Sequence, residues 1–120
     1  MISLNCYKKI ECILSDWRLD AHQKYSILGC KTKNHNAIFN LQELLTVIDE
    51  CTDIHYRVEL ILHIASSLKI TFNNPKNING FMKMKNGNQP FNGTCPIDLA
   101  CESLSGLETV DSAITQIVKI

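Results

Sequence analysis

The stretch from Ile54 to Phe72 constrains the fold of this chain more than any other. Ile54, Val58, Ile61, Leu62, Ala65, Leu68 and Phe72 recur at three- and four-residue steps and line one face of a helix. Leu60 and Ile64 add a second apolar strip. A helix that is apolar on two sides has to be covered on two sides. The segment, starting at Thr52 or Asp53, is therefore expected to be a spine around which shorter helices pack.

The rest of the sequence supplies those helices. Leu4, Tyr7, Ile10, Ile13, Leu14 and Trp17 suit a first amphipathic helix. Asp20 and Gln23 have the spacing of a capping box, and Gly29 closes the short helix that follows. A third short segment is expected from Thr32. Asn40 and Glu43 give another cap, before Leu41, Leu44, Leu45 and Ile48. Beyond Phe72 the texture changes. Seven of the eleven asparagines fall between Asn73 and Asn92, together with Pro75, Gly80, Gly87 and Pro90. A short helix is expected from Pro75 to about Met82, then a loop over 85–94. Pro96 suits the first turn of a helix reaching Glu102. Ser105 and Glu108 read as a capping box for a last helix carrying Leu107, Val110, Ile114 and Ile117. No strand alternation of any length is present. The predicted class is all-α, with an N-terminal helix-turn-helix-like bundle packed on a C-terminal helical part.

Charge narrows the partners. The 120 residues carry 12 cations and 12 anions. Zero net charge excludes a general nucleic-acid coat protein, which needs excess cations. The balance is uneven: residues 1–40 sum to +3, residues 41–80 to −2 and residues 81–120 to −1. Hydrophobic residues make up 45% of the chain, and no apolar run approaches the ~18 residues of a membrane span. The first lysines follow the apolar residues, the reverse of a secretion signal. A cytoplasmic protein that binds no membrane and keeps its six cysteines reduced is expected. The cysteines include no Cys-x-x-Cys pair, and Cys6, Cys12, Cys51 and Cys101 fall in apolar helix patterns that suggest small buried side chains.

Catalytic signatures are missing from the sequence. It has no phosphate-binding loop, dinucleotide fingerprint, H-E-x-x-H or G-x-S-x-G. His55 and His63, eight residues apart on the spine, are too far along the axis to share a metal. A Cys–His pair brought together in space stays open as an alternative. No enzyme activity, metal or cofactor is expected. The run Trp17 to Cys30 has the order of a helix-turn-helix, whose following helix enters the major groove. There Lys31 and Lys33 can meet phosphate, and Asn34 and Asn36 can meet adenine edges. With Thr32 and His35 they form the candidate DNA-binding set. The same helix order also arises when three short helices simply pack. Phe91, in a polar turn, is either a plug folded onto the core or an exposed anchor for a partner.

Phe91-x-Gly93-x-x-Pro96-Ile97-Asp98-Leu99, then Gly106-Leu107-Glu108-x-Val110, resembles the C-terminal signature of the MbcA/ParS/Xre-type antitoxins. Arg57-Val58-Glu59-Leu60-Ile61-Leu62-His63-Ile64-Ala65-x-x-Leu68 resembles that family's long helix, and Phe72-Asn73-Asn74-Pro75 followed by Phe81 its next turn and helix. Trp17-x-Leu19 and Ile27-Leu28-Gly29 resemble its Xre-like helix-turn-helix, so nearly the whole chain is covered. Two departures are Phe39-Asn40, where the family often has tryptophan and basic residues, and Asn92 in place of the first glycine of a pair. The resemblance implies two parts, a helix-turn-helix region over 1–52 and a toxin-binding domain over 53–120. It implies a non-enzymatic antitoxin of a type II pair that blocks the active site of a RES-domain, NAD-degrading toxin. Operator DNA is a second partner, and a homodimer or a hetero-oligomer with the toxin is expected. The candidate toxin-binding residues are Phe91, Asn92, Gly93, Ile117, Lys119 and Ile120. The alternative is a stand-alone helix-turn-helix transcription regulator without a toxin.

Overall fold

The structure, a computed structural model, describes residues 4–29, 54–87 and 89–118. Within them six α-helices follow in order: α1 (Leu4–Asp16), α2 (Ala21–Ile27), α3 (Ile54–Thr71), α4 (Pro75–Gly80), α5 (Pro96–Glu102) and α6 (Leu104–Val118). A 3-10 turn, Phe81–Lys83, extends α4. The described residues form no β-sheet, only one isolated antiparallel bridge between Asn86 and Thr94. The all-α class is thus observed. No helix among the described residues is long and apolar enough to cross a membrane. The expected segments from Thr32 and from Leu41 lie outside the described residues.

The helix α3 is the spine. It packs against α1, α4 and α6. Its Ile54, Val58, Leu60, Ile61, Ile64, Ala65 and Leu68 are all buried, so both apolar strips are covered. Ile10, Leu14, Trp17, Leu19, Ile27 and Leu28 from the N-terminal part join the same core as Met82, Phe91, Ile97, Leu107, Val110 and Ile114. One continuous core therefore crosses the boundary drawn at 52/53.

Local chemistry accounts for most helix ends. At α2 the capping box forms in both directions. The Gln23 N–H donates to Asp20 Oδ1 at 2.8 Å, and the Asp20 N–H to Gln23 Oε1 at 3.1 Å. Asn74 caps α4 through the Lys76 N–H at 2.9 Å. The helix α1 closes differently. Arg18 takes a left-handed φ of 60°, with its N–H on Ser15 O at 2.9 Å and the Leu19 N–H on Leu14 O at 3.2 Å. That pair of bonds is a Schellman ending, and the buried contact expected of it is supplied by Leu14 and Leu19. The missing glycine hides it from the sequence.

Three expectations are corrected. The last helix begins at Leu104, not after Ser105. Its cap is Ser103, whose Oγ accepts from the Gly106 N–H at 3.0 Å. A Ser103 cap lets the helix start early enough to set Gly106 against α5. The Pro75 helix is α-helical only to Gly80 and then tightens into the 3-10 turn. Cys12 is exposed, because it sits about 200° around α1 from buried Ile10.

Candidate functional site

The loop that follows the 3-10 turn is closed on itself by its own backbone. The Asn86 N–H donates to Thr94 O at 3.0 Å, and the Gly93 N–H returns to Asn86 O at 2.7 Å. Thr94 donates twice to Phe91 O, from its N–H at 3.0 Å and its Oγ1 at 2.6 Å. The reversal needs two successive left-handed residues, Asn92 at φ 53° and Gly93 at φ 89°. Asparagine is among the few residues with a side chain that tolerate that region, so Asn92 can hold the first of the two positions. The Gln89–Pro90 peptide is cis.

Phe91 resolves to a plug: only 3% of it is exposed. Its ring meets Phe81 edge-on at 6.4 Å between centroids, and Phe81 meets Phe72 at 5.8 Å. The loop is thereby fastened to the end of α3 by a cluster of three rings, one contact edge-on and one tilted. Of the candidate toxin-binding set, Phe91 is buried, whereas Asn92 and Gly93 are exposed at the loop tip. Ile117 lies in the last turn of α6. Lys119 and Ile120 lie outside the described residues. All six DNA-binding candidates, Lys31, Thr32, Lys33, Asn34, His35 and Asn36, also lie outside them.

The C-terminal helix pair is held unusually close. A Cβ at Gly106 would come 2.0 Å from the Leu99 carbonyl oxygen and 3.0 Å from its carbon. Glycine is required there by approach of one backbone to another, in a helix where it is otherwise unfavourable. Pro96 starts α5 at its first turn with no cap side chain, and Pro96, Ile97 and Ala100 face the core.

Two polar links that the sequence reading missed join α3 to α6. Tyr56 Oη donates to Glu108 Oε2 at 2.7 Å, and His63 Nδ1 pairs with Asp111 Oδ1. The bond to Glu108 pushes the Tyr56 hydroxyl above its ordinary pKa; desolvation and the charges of Glu108, Asp111 and Glu59 act the same way. The available signal was spacing. Tyr56 and His63 are two helical turns apart, and Glu108 and Asp111 one turn.

Arg57 was also missed as a structural group. It is 8% exposed, and its Nη1 donates to Ile27 O at 3.4 Å. A Cβ at Gly29, which has φ 78°, would fall 2.5 Å from Arg57 Nε. The guanidinium thus fills the space a side chain at Gly29 would need. It also places positive charge at the C-terminal end of α2, the favourable end of the helix dipole for a cation.

Among the thiols, Cys101 donates to Gln23 O at 3.6 Å. Burial, helped by the charges of Asp98 and Asp20 and opposed by Arg57, pushes its pKa up to about 12. It is a protonated, unreactive group at neutral pH. Cys95 donates to Lys83 O at 3.2 Å. Among the described residues no group of three or more His, Cys, Asp or Glu side chains is placed to hold a metal.

No family model matches the chain, and neither a curated protein nor a solved structure is significantly similar to it.

Proposed function

We propose that this chain is an antitoxin of the MbcA/ParS/Xre type, whose C-terminal half binds a RES-domain toxin and covers the site at which that toxin degrades NAD. One observation carries the reading. Six residues of the C-terminal resemblance have structural tasks in one unit. Phe91 plugs the core, Gly93 makes the left-handed reversal, Pro96 starts α5, Gly106 admits the Leu99 carbonyl, and Leu107 and Val110 are buried. A run of matching letters arising by chance has no reason to fall on the residues that hold one loop and one helix pair together. The exposed loop tip at Asn92–Gly93 and the final turn of α6 remain the surfaces for the toxin. Binding of operator DNA through residues 31–36, alone or with the toxin, is a second part of the proposal.

The test is identification of the adjacent gene and co-expression of this chain with its product; the proposal expects that product to be a RES-domain toxin, and a neighbour of another kind counts against it. Restored growth, a preserved NAD pool and a complex that co-elutes on size exclusion are expected. Continued NAD loss with both proteins present and no complex would refute the antitoxin reading.

A further inference from the structure

The end of α3, the 3-10 turn and the start of the loop enclose an open pocket of about 250 Å³ lined by Phe72, Asn77, Phe81, Met84, Lys85 and Asn86. Phe72 and Phe81, two of the three clustered rings, are among its lining, and Phe91 is not. At its rim Met84 is 59% exposed, an unbranched apolar side chain left in water. Methionine in that setting adapts its shape to what it covers. A cavity of about 150 Å³ already accepts a benzene ring, so this pocket takes one aromatic or branched aliphatic side chain.

The stretch of chain that builds the pocket carries charge of one sign. Between Glu59 and Asp98 the chain has no carboxylate side chain, and its four cations are Lys69, Lys76, Lys83 and Lys85. All four are exposed. Lys85 lines the pocket and Lys76 adjoins Asn77 in sequence. Lys83 is the one tied back, donating to Arg18 O. Among the described residues no ion pair is formed by Lys69, Lys76 or Lys85. The acidic side chains Glu108 and Asp111 are instead committed to Tyr56 and His63 on α3.

We infer that this pocket is a docking site for an acidic peptide segment of a partner protein, one that inserts a single aromatic or branched aliphatic side chain between Phe81 and Met84 and sets flanking carboxylates against Lys85 and Lys76. The apolar side chain supplies the affinity, and the lysines choose an acidic neighbourhood around it. A nucleic acid would use the lysines but leave an apolar pocket with nothing to fill it except a base held edge-on. The inference goes beyond the antitoxin proposal, which places its partner at the loop tip and the last turn of α6. Either can fail while the other stands.

The experiment is a titration of the full-length, isotope-labelled chain with a short capped peptide carrying one phenylalanine flanked by glutamates, followed by amide shifts. Shifts are expected to concentrate on Phe72, Asn77, Met84, Lys85 and Asn86. Replacing the peptide's phenylalanine by alanine should weaken binding at least about tenfold, the loss of one buried aromatic. Replacing its glutamates by glutamines, or making Lys85→Glu in the protein, should weaken it about three- to fivefold, and added salt should do the same. Both side chains at the rim are exposed, so Lys85→Glu and Met84→Asp leave the helical circular dichroism unchanged. Three results overturn the inference. In the first, the neutral peptide binds as well as the acidic one, or the shifts map elsewhere or are missing. In the second, an oligothymidine displaces the peptide from the same amides, which makes this a nucleic-acid surface. In the third, the same amides shift with protein concentration alone, which makes it the seat of a second copy.

Discussion

Alanine at position 106 gives the sharpest test of how this fold is assembled. In most helices Gly→Ala adds about 1 kcal/mol of stability, through lower backbone entropy in the unfolded chain. At Gly106 the new methyl would sit 2.0 Å from the Leu99 carbonyl oxygen. An ordinary carbon–oxygen contact is about 3.3 Å, so α5 and α6 must separate by roughly 1.3 Å. The obstacle is backbone, which cannot rotate away as a side chain can. Overpacking of this kind costs about 1–3 kcal/mol, and a backbone obstacle puts it at the upper end. After the helix gain the net loss is about 2 kcal/mol. Against a total of about 6–18 kcal/mol for a chain of this length, that lowers Tm by about 6–12 °C. Gly80→Ala is the matched control, since its Cβ would meet nothing closer than Met84 Sδ at 3.8 Å. Gly80 ends a six-residue helix, where about half of the interior gain applies, so Tm should rise by about 1–3 °C. Thermal and urea unfolding followed by far-UV circular dichroism read both variants. A Gly106→Ala protein that melts at or above the parent would refute the close approach of α5 and α6 and the reason given for glycine there.

Three further outcomes follow from particular contacts. Phe91→Ala should cost about 3–5 kcal/mol, since it empties a buried aromatic site and breaks the edge-on contact with Phe81, while Phe91→Leu costs much less; equal urea midpoints for the two would contradict the plug. Gly29→Ala and Arg57→Ala should be coupled, because each occupies the other's space: alanine at 29 is expected to cost at least about 1 kcal/mol less once the guanidinium is gone, and strict additivity in the double-mutant cycle would deny the contact. Under native conditions near neutral pH, iodoacetamide should modify exposed Cys12 far faster than Cys101, as read by peptide mass mapping. The Cys101 pKa is raised to about 12 from an ordinary 9.0, so its contribution to stability is full below pH 9 and is lost as pH rises towards 12. Cys101→Ser should lessen that alkaline decline.

The elements read most easily were those set by neighbours in sequence. The two-sided spine, the Asp20–Gln23 box, the glycine after α2 and the proline starts of α4 and α5 all depend on residues within a turn or two of each other. Periodicity and capping report such relations directly. The candidate site was less legible. Phe91 was open between plug and anchor because its burial depends on Phe81 and the end of α3, not on its own loop. Cys12 was misplaced because an apolar surrounding in sequence does not say which face of the helix a residue takes. Ser105 has the capping-box spacing to Glu108, whereas the helix begins two residues earlier, capped by Ser103, with Gly106 set against the Leu99 carbonyl.

By itself the sequence determined an all-α chain with one central helix and a glycine- and asparagine-rich loop before its last helix pair. Those properties follow from short-range hydrogen bonding and from the need to cover a helix that is apolar on two sides. Only the tertiary structure decided that Arg57 fills the space beside Gly29, that Gly106 admits the Leu99 carbonyl, that Tyr56 and His63 are tied to α6, and that an apolar pocket bordered by Lys85 opens beside the phenylalanine cluster. Each of these joins residues far apart in the chain or depends on the approach of two backbones to within an atom's width. That distance is set by the whole core at once, and no local pattern encodes it.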